Sequence, residues 1–290
     1  MRAPIRPIVG AWPAALQRRL SRFFWPDPTV VADAGASPEA FRSAMSALHF
    51  GGTIKITGSN RHPLSDALIL DNLDVSDAAI VDIGASDGST SVDLIARLPD
   101  FRTYTIADLY LRALTIRIGT HTYFYGPNGQ LILVVGRRAL AWPTESRFVA
   151  ALYRPLAKRA LKSPERSEVL LLNPETRKLI ESDPRITYRE HDVFTPWPGQ
   201  RPDVIKVANL LRRIYFSDDE IRLALSALLR SLAEGGHLLI VDNPRVEGIN
   251  ERAGLYRRTA GRFALVATTD HAPEIADLLA TTDEQEQPLR

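Results

Sequence analysis

Residues 78–91, AAIVDIGASDGSTS, change abruptly in composition, and the change could serve a ligand. An apolar run reaches Asp82, and the chain then consists almost entirely of Gly, Ala, Ser and Asp. Gly84 and Gly88 remove side chains where a backbone would approach a ligand closely and turn into a helix. A helix beginning there would direct its first unpaired N–H groups towards that ligand. The alternative is a tight strand-to-helix turn that binds nothing.

Two carboxylates later in the chain extend this pattern. Asp108 ends the next strand-like run, 20 positions after Gly88, where a carboxylate can bind both hydroxyls of a ribose. Asp192 follows a further run, where its side chain or the adjacent backbone could bind the edge of an adenine. A nicotinamide dinucleotide would also use a ribose carboxylate, but its loop needs a third Gly where this chain has Ser91. The missing third Gly therefore argues against a nicotinamide dinucleotide.

A parallel sheet would bring these segments to one edge. From residue 79 onward strand patterns alternate with helix patterns, which predicts a parallel sheet covered by helices on both faces. The strands are AIVDIG, FRTYTIAD, ITYREHDVF, DVIKVANLL and HLLIVDN, and the helices include STSVDLIARL and SDDEIRLALSALLRSLAEGG. Ligands of such sheets bind beyond the carboxyl ends of the strands. RAGLYRRTAGRFALVATT predicts an antiparallel hairpin on the sheet edge, turning at Gly261.

Composition narrows the functional classes. The net charge of +2 is too small to indicate nucleic-acid binding. The chain has no cysteine, which excludes disulfides, a thiolate nucleophile and cysteine-ligated metal, and its histidines show no metal-ligand spacing. No apolar run is long enough to span a bilayer. We therefore expect a cytoplasmic protein with no metal and no nucleic-acid partner.

Several segments together resemble class I S-adenosylmethionine-dependent methyltransferases. VDIGASDGSTS resembles their first motif, TIAD the second and REHDVF the third. PDVIKVANLLRRIYFSDDEIRLALSALLRSLAEGGHLLIVDN resembles the fourth strand through the fifth, with the Leu-x-x-Gly-Gly turn before the fifth. Its Asn-Leu-Leu…Tyr-Phe pattern is similar to chemotaxis-receptor methyltransferases and many uncharacterised bacterial relatives. The resemblance covers about residues 63–270, apart from an insertion.

The resemblance implies S-adenosylmethionine as cofactor and an α/β fold. We expect a doubly wound, mostly parallel Rossmann-like sheet with an antiparallel edge hairpin, N-terminal helices and a β-hairpin/helix insertion. The implied cofactor-binding residues are Asp82, Gly84, Ala85, Ser86 and Gly88 at the methionine end, Asp108 at the ribose, Asp192 and Val193 at the adenine, and Asn209 at the end of the fourth strand. The chain departs from the family at Ser86, beside Asp87, where a second Gly is usual.

Methyl transfer needs few catalytic groups, because a sulfonium is already a good leaving group and orientation can supply much of the acceleration. Asn209 either meets the substrate or caps the chain as it leaves the sheet. Tyr215 is the second candidate for catalysis, with core packing as the alternative for it and for Phe216. His191 is expected to point to the opposite face from Asp192. No Asn-Pro-Pro-Tyr motif follows the fourth strand, which argues against nucleic-acid amino methylation.

These residues predict methyl transfer to a small-molecule or lipid-like acceptor. The alternatives are methylation of a protein carboxylate and a catalytically silent S-adenosylmethionine-binding protein. Homodimerisation and peripheral contact with a membrane stay open.

The chain upstream of the first motif carries two helix signals. AALQRRLSRFFW predicts a short amphipathic helix, which either packs on the protein surface or contacts a membrane; its apolar face is formed by Leu16, Leu20, Phe23 and Phe24. PEAFRSAMSALHF follows Ser37, a good N-cap. We therefore predict an N-terminal helical segment over 1–62 and a methyltransferase domain over 63–290.

An insertion of about 77 residues separates Asp108 from ITYREHD. It contains a predicted hairpin, THTYFYGPNGQLILVVG, a basic helix, TESRFVAALYRPLAKRALK, and a strand entering a helix, SEVLLLNPETRKLI. This last strand could itself be the second core strand, with Asn173 at the ribose. We favour Asp108, because a carboxylate binds a diol better than a carboxamide does. We expect residues 111–172 to form a lid or side wall beside the substrate cavity, rather than an independent domain.

Overall fold

The structure is a computed structural model of the 290-residue chain, and it describes residues 3–50, 53–54, 61–243 and 250–284. The strands of this part are β1 (Ile5–Pro7), β2 (His49–Phe50), β3 (Thr53–Ile54), β4 (Ala79–Ile83), β5 (Thr103–Asp108), β6 (Arg112–Ile118), β7 (His121–Tyr125), β8 (Leu131–Val135), β9 (Ala139–Ala141), β10 (Arg166–Leu170), β11 (Ile186–Glu190), β12 (Val204–Ala208), β13 (His237–Asp242), β14 (Arg252–Thr259) and β15 (Arg262–Thr268). Its α-helices are α1 (Ala14–Arg19), α2 (Pro38–Met45), α3 (Pro63–Asn72), α4 (Ser89–Ile95), α5 (Arg147–Ala160), α6 (Pro174–Ser182), α7 (Asp218–Ser231) and α8 (Ala276–Thr281).

The chain folds as two compact units. The first, here the N-terminal unit, comprises Met1–Thr57 and Tyr110–Pro174, and the second, here the parallel-sheet unit, comprises Gly58–Leu109 and Glu175–Arg290. None of the helices that the structure describes combines the length and the hydrophobicity that crossing a bilayer requires.

The parallel-sheet unit contains a seven-stranded sheet in the order β11-β5-β4-β12-β13-β14-β15. The first five of these strands are parallel, and β14 and β15 add to the edge as an antiparallel hairpin. From β4 the chain moves outward to β5 and β11, and it then returns to the other side of β4 with β12. This order confirms the predicted doubly wound sheet, and it places a topological switch point between β4 and β12.

Helix α7 illustrates how the sequence sets the elements that cover this sheet. Ser217 and Glu220 form a capping box, in which each side chain accepts a hydrogen bond from the other residue's backbone N–H. Such caps contribute about 1 kcal/mol to helix stability. The helix buries Ile221, Leu225 and Leu228 in a core shared with β12 and β13. The N-cap and the buried apolar face together fix the position of α7, which connects β12 to β13.

The N-terminal unit contains a six-stranded sheet in the order β1-β9-β8-β7-β6-β10, antiparallel throughout. The predicted hairpin is confirmed as β7 and β8, the basic helix as α5, and the strand entering a helix as β10 and α6. Because β10 pairs with β6, it is not the second core strand, whereas β5 pairs directly with β4. The preference for the strand that ends at Asp108 is therefore confirmed.

The N-terminal unit combines two separate stretches of the chain. Strand β1 extends the sheet of the insertion, with Ile5 opposite Ala141, and α2 buries Phe41 and Met45 in the same core as Phe124. The structure thus joins residues 1–57 to the insertion through pairing that no local pattern in the sequence indicates. The boundaries at 62 and 63 and the role of the insertion as a lid stay predictions.

Both predicted N-terminal helices are present. Helix α2 starts at Pro38 after Ser37, whose Oγ accepts a hydrogen bond from the Ala40 N–H at 3.2 Å. Helix α1 is shorter than expected and buries none of its residues.

Candidate functional site

The Gly84–Gly88 loop follows β4 at the carboxyl edge of the parallel sheet and is packed tightly against its neighbours. Both glycines have φ of +78°, in the left-handed region that other residues rarely adopt. A Cβ at Gly84 would lie 2.8 Å from Leu210 Cδ2, and one at Gly88 would lie 2.6 Å from Thr176 Cγ2. Ser86, between them, also adopts a positive φ of 59°. The small residues are therefore required by the backbone and by its neighbours.

Asp108 lies directly beside this loop, as the sequence predicts. Its Oδ2 accepts a hydrogen bond from the Ser86 N–H at 2.8 Å, and the side chain is 9% exposed. The Gly84 and Ala85 N–H groups donate to the Ala107 carbonyl at 2.8 and 3.1 Å. The end of β5 thus holds the loop through three backbone donors. The Gly-rich loop and the ribose carboxylate candidate form one structural cluster.

The loop carries buried polar atoms that the described residues leave without a hydrogen-bond partner. They are Ser86 Oγ, Asp87 Oδ2 and Ser89 Oγ. The other carboxylate oxygen of Asp87 accepts a hydrogen bond from the Ser89 N–H at 3.0 Å, which fixes the direction of the side chain. A buried polar group without a partner costs about 1–3 kcal/mol. Three such atoms within four residues fit a loop that binds a polar ligand.

Asp82 is buried beneath the loop, and its contacts are with the protein. Its Oδ2 accepts hydrogen bonds from Ser91 Oγ at 2.7 Å and from the Tyr104 hydroxyl at 3.3 Å. These bonds tie β4 to the first turn of α4 and to β5. Burial raises the pKa of Asp82, and the nearby charge of Lys206 acts in the opposite direction. Whether Asp82 also contacts a ligand stays a prediction.

A buried ion pair between Lys206 and Asp66 lies next to Asp82. Lys206 Nζ, in the middle of β12, donates to Asp66 Oδ1 of α3 at 2.7 Å, and both side chains are almost fully buried. Lys206 is the register partner of Asp82 on β4. Burial lowers the pKa of Lys206, but the charges of Asp66 and Asp82 outweigh it, so the net shift is upward. This pair was not predicted from the sequence, although the single Lys inside the apolar run DVIKVA was a signal for it.

Asp192 and Val193 lie after β11, at the same edge of the sheet as the loop. The His191 N–H donates to the Asp108 carbonyl at 3.1 Å, which joins the ends of β11 and β5. Asp192 Oδ1 accepts from the Phe194 N–H at 3.0 Å, and Val193 is buried in the core. The predicted adenine-side residues are thus near Asp108, and their role stays a prediction.

Asn209 follows β12 with a positive φ of 57° and bonds to a second asparagine at the end of β13. Its Oδ1 accepts from the Asn243 N–H at 2.7 Å, and its Nδ2 donates to Asn243 Oδ1 at 3.2 Å. This geometry corresponds to the capping alternative. Asn243 was not predicted from the sequence as a site residue, although its position after a strand parallels that of Asn209.

Tyr215 and Phe216 lie in the segment between β12 and α7. Phe216 packs against the core and against Phe194, with ring centroids 5.4 Å apart, as the packing alternative expects. Tyr215 is partly exposed. Its candidacy for acceptor contacts stays a prediction.

A surface cavity of about 690 Å³ lies at the opposite, amino edge of the parallel sheet. Arg102, in its lining, bonds to Asp203 at 2.8 Å and to Asp77 at 3.4 Å, so its charge is compensated. Ligands of doubly wound sheets bind at the carboxyl edge. We therefore place the candidate site at the Gly84–Gly88 loop and not in this cavity. Within the described residues, no group of three or more His, Cys, Asp or Glu side chains could hold a metal ion.

No protein-family model matches the chain, and no curated protein matches it. Solved structures match at low similarity. An amino pentose methyltransferase of calicheamicin biosynthesis from Micromonospora echinaspora, with S-adenosylmethionine bound, is 14% identical over 69% of this chain and 64% of that chain, with a TM-score of 0.32. Human N-acetylserotonin methyltransferase in complex with S-adenosylmethionine is 13% identical over 73% of this chain and 39% of that chain, with a TM-score of 0.33.

The YcgJ protein from Bacillus subtilis is 15% identical over 63% of this chain and 52% of that chain, with a TM-score of 0.32. The chain thus covers between 39% and 64% of the length of these three proteins. Because all three TM-scores are low, the fold assignment depends on the strand order and register described above.

Proposed function

We propose that the protein binds S-adenosylmethionine at the carboxyl edge of its parallel sheet and transfers the methyl group to a small-molecule or lipid-like acceptor. The observation that carries the proposal is a set of three buried polar atoms next to Asp108, one each in Ser86, Asp87 and Ser89. None of the three has a hydrogen-bond partner among the described residues. The motif resemblance supports the identity of the ligand. When bound, S-adenosylmethionine supplies an electrophilic methyl group on a sulfonium leaving group.

In this proposal the loop and Asp108 hold the ligand in one orientation. Asp87 accepts a hydrogen bond from the ammonium group of the methionine end through its Oδ2. Its Oδ1 already accepts one from the Ser89 N–H, whereas Oδ2 has no partner among the described residues. Asp108 binds the ribose hydroxyls while its Oδ2 retains the Ser86 N–H, since each carboxylate oxygen has two lone pairs. Asp192 and Val193 frame the adenine. The hydrogen bonds between the loop and Asp108 would thereby align the methionine end with the ribose.

The remaining candidate residues, Asn209 and Tyr215, position groups in the site and do not transfer protons. Asn209 holds the exit of β12 through Asn243, and Tyr215 contacts the acceptor. Alignment at close range and exclusion of water can supply much of the acceleration of methyl transfer. A general base is required only if the acceptor arrives protonated.

A second function, S-adenosylmethionine binding without transfer, is favoured by one observation. The side-chain amide of Asn209 makes two hydrogen bonds with Asn243. It therefore connects the ends of two strands at the position where a substrate contact was expected. Formation of S-adenosylhomocysteine with a panel of hydroxyl, amine and lipid acceptors separates the two functions. Ligand binding without product across the panel would favour the silent protein.

Asp87 provides the sharpest test of the binding mode. Asp87→Asn keeps the shape and the acceptor for Ser89 but removes the charge. We expect S-adenosylmethionine affinity to fall by about 1.5–3 kcal/mol, the size of a hydrogen bond to a charged group. We also expect no loss of stability in the absence of ligand, because a buried amide costs less than a buried carboxylate. Calorimetry and urea unfolding measure the two effects.

The matched control for this test is Asp74→Asn. Asp74 caps Ser76 at the amino edge of the sheet, through hydrogen bonds of 3.1 and 2.7 Å. The control should leave affinity unchanged. Equal affinity of the Asp87→Asn variant and the unmodified protein would contradict the binding mode.

A further inference from the structure

Helix α5 of the N-terminal unit presents a stripe of large apolar side chains to solvent. Phe148 is 78% exposed, Leu152 56% and Leu156 47%. Because residues four positions apart lie on the same face of a helix, the three side chains form one continuous strip. Contiguous exposed apolar surface of this kind marks an interaction site more often than single exposed residues do.

The helix is held firmly by its other face. Val149, Ala157 and Ala160 are buried. The Tyr125 hydroxyl of β7 donates to the Ala157 carbonyl at 2.9 Å. The apolar stripe is therefore displayed from an anchored helix.

The charges on this helix are all of one sign. The segment from residue 147 to residue 162 has no acidic residue, and its basic residues, all exposed, are Arg147, Arg154, Lys158, Arg159 and Lys162. At 100° per residue, Arg159 lies on the same side of the helix as the stripe, and Lys162 lies beside it. Arg154 and Lys158 lie more than about 90° around the helix from the middle of the stripe. Long basic side chains can place their charged ends at a polar surface while their methylene stems remain in apolar contact.

We infer that the exposed face of α5 docks on the surface of an anionic lipid bilayer. Phe148, Leu152 and Leu156 enter the boundary between headgroups and acyl chains, and the basic side chains meet the anionic headgroups. A two-fold contact between copies of this face would bring ten basic side chains together without an acidic residue of α5 to compensate them. Charge complementarity thus selects the lipid surface over a second copy. This inference is independent of the proposed methyl transfer.

Sedimentation of the full chain with vesicles tests this surface. We expect binding to vesicles of phosphatidylcholine and phosphatidylserine at a ratio of about two to one, little binding to phosphatidylcholine alone, and weaker binding as salt screens the charges. Phe148→Glu with Leu152→Glu should abolish binding. Lys158→Gln with Arg159→Gln and Lys162→Gln should weaken it about 100-fold, at about fivefold for each charge.

The matched control is Leu265→Glu with Val266→Glu on β15, which also replaces two exposed apolar residues and adds the same charge. It should bind vesicles like the unmodified chain, and circular dichroism should show all variants folded. Equal binding to both vesicle compositions, or unchanged binding by the Gln variant, would overturn the inference. So would a dimer that Phe148→Glu with Leu152→Glu dissociates, in a chain that binds neither vesicle.

Discussion

Asp108 is the residue at which the Gly-rich loop and the proposed ribose position meet. We expect Asp108→Ala to weaken S-adenosylmethionine binding by about 2–4 kcal/mol, because hydrogen bonds to a charged group contribute roughly 1.5–3 kcal/mol each. Asp108→Asn should lose less, since its amide oxygen can still accept from the Ser86 N–H, which is 2.8 Å from Asp108 Oδ2. Isothermal titration calorimetry measures both affinities.

The control for Asp108 is Asp77→Ala, which removes an 85% exposed carboxylate at the opposite edge of the sheet. It should bind S-adenosylmethionine as the unmodified chain does. If Asp108→Ala retains full affinity, Asp108 does not hold the ribose.

His62 makes the stability of the protein depend on pH. Burial lowers the pKa of His62 to about 3, and the charges of Lys206 and Arg61 act in the same direction. In an unfolded chain a histidine has a pKa of about 6.5, so between that pH and about pH 3 the unfolded chain binds a proton at His62 that the folded chain does not. Stability therefore falls as the pH is lowered through this window, by about 2 kcal/mol at pH 5.

The variant His62→Gln isolates this contribution, because His191 and His237 also have lowered pKa values from burial. Urea unfolding at about pH 7 and pH 5 should show a loss about 2 kcal/mol smaller for the variant than for the unmodified protein. Identical losses would mean that His62 titrates in the folded protein as it does in the unfolded chain.

At the scale of elements, the buried Lys206–Asp66 pair fixes α3 to the middle of β12. We expect Lys206→Met to destabilise the protein by about 3–5 kcal/mol, because Asp66 and Asp82 would lose their counter-charge in the interior. The free energy of unfolding in urea measures this effect.

A second substitution shows whether the pair or the packing is responsible. Lys206→Met with Asp66→Leu replaces the ion pair by apolar side chains and should recover much of the loss. If the double variant is less stable than Lys206→Met alone, the destabilisation comes from packing and not from an uncompensated charge.

Local patterns predicted the elements well and their pairing less well. Strand runs such as DVIKVANLL and the N-cap Ser37 before α2 predicted element types correctly, because hydrophobic periodicity and capping are properties of neighbouring residues. The Lys206–Asp66 contact joins residues far apart in sequence, and no period encodes it. The loop could be located by its glycines, but the contacts of Asn209 with Asn243 depend on how β12 and β13 end.

At the scale of the whole molecule, the division into two units was the feature least visible in the sequence. Strand β1 has three residues, too few for a pattern, and its partner β9 lies beyond the whole of the first motif region. A long-range pairing of this kind is decided by the folded sheet and not by local propensity.

The division makes a prediction about the parallel-sheet unit. All residues proposed to bind S-adenosylmethionine lie in it, and it has its own core. A chain in which a short Gly-Ser linker joins Leu109 to Glu175, without residues 1–57, should therefore fold and bind S-adenosylmethionine. Calorimetry and circular dichroism on this chain check the prediction, and a folded chain without affinity would show that binding requires the N-terminal unit.

Calorimetric titration of the unmodified chain with S-adenosylmethionine, S-adenosylhomocysteine and NAD tests the proposed ligand directly. The loop from Gly84 to Gly88, its buried polar atoms and the adjacent Asp108 predict binding of the first two ligands and none of NAD. Binding of NAD, with no binding of either S-adenosyl compound, would contradict the proposed function.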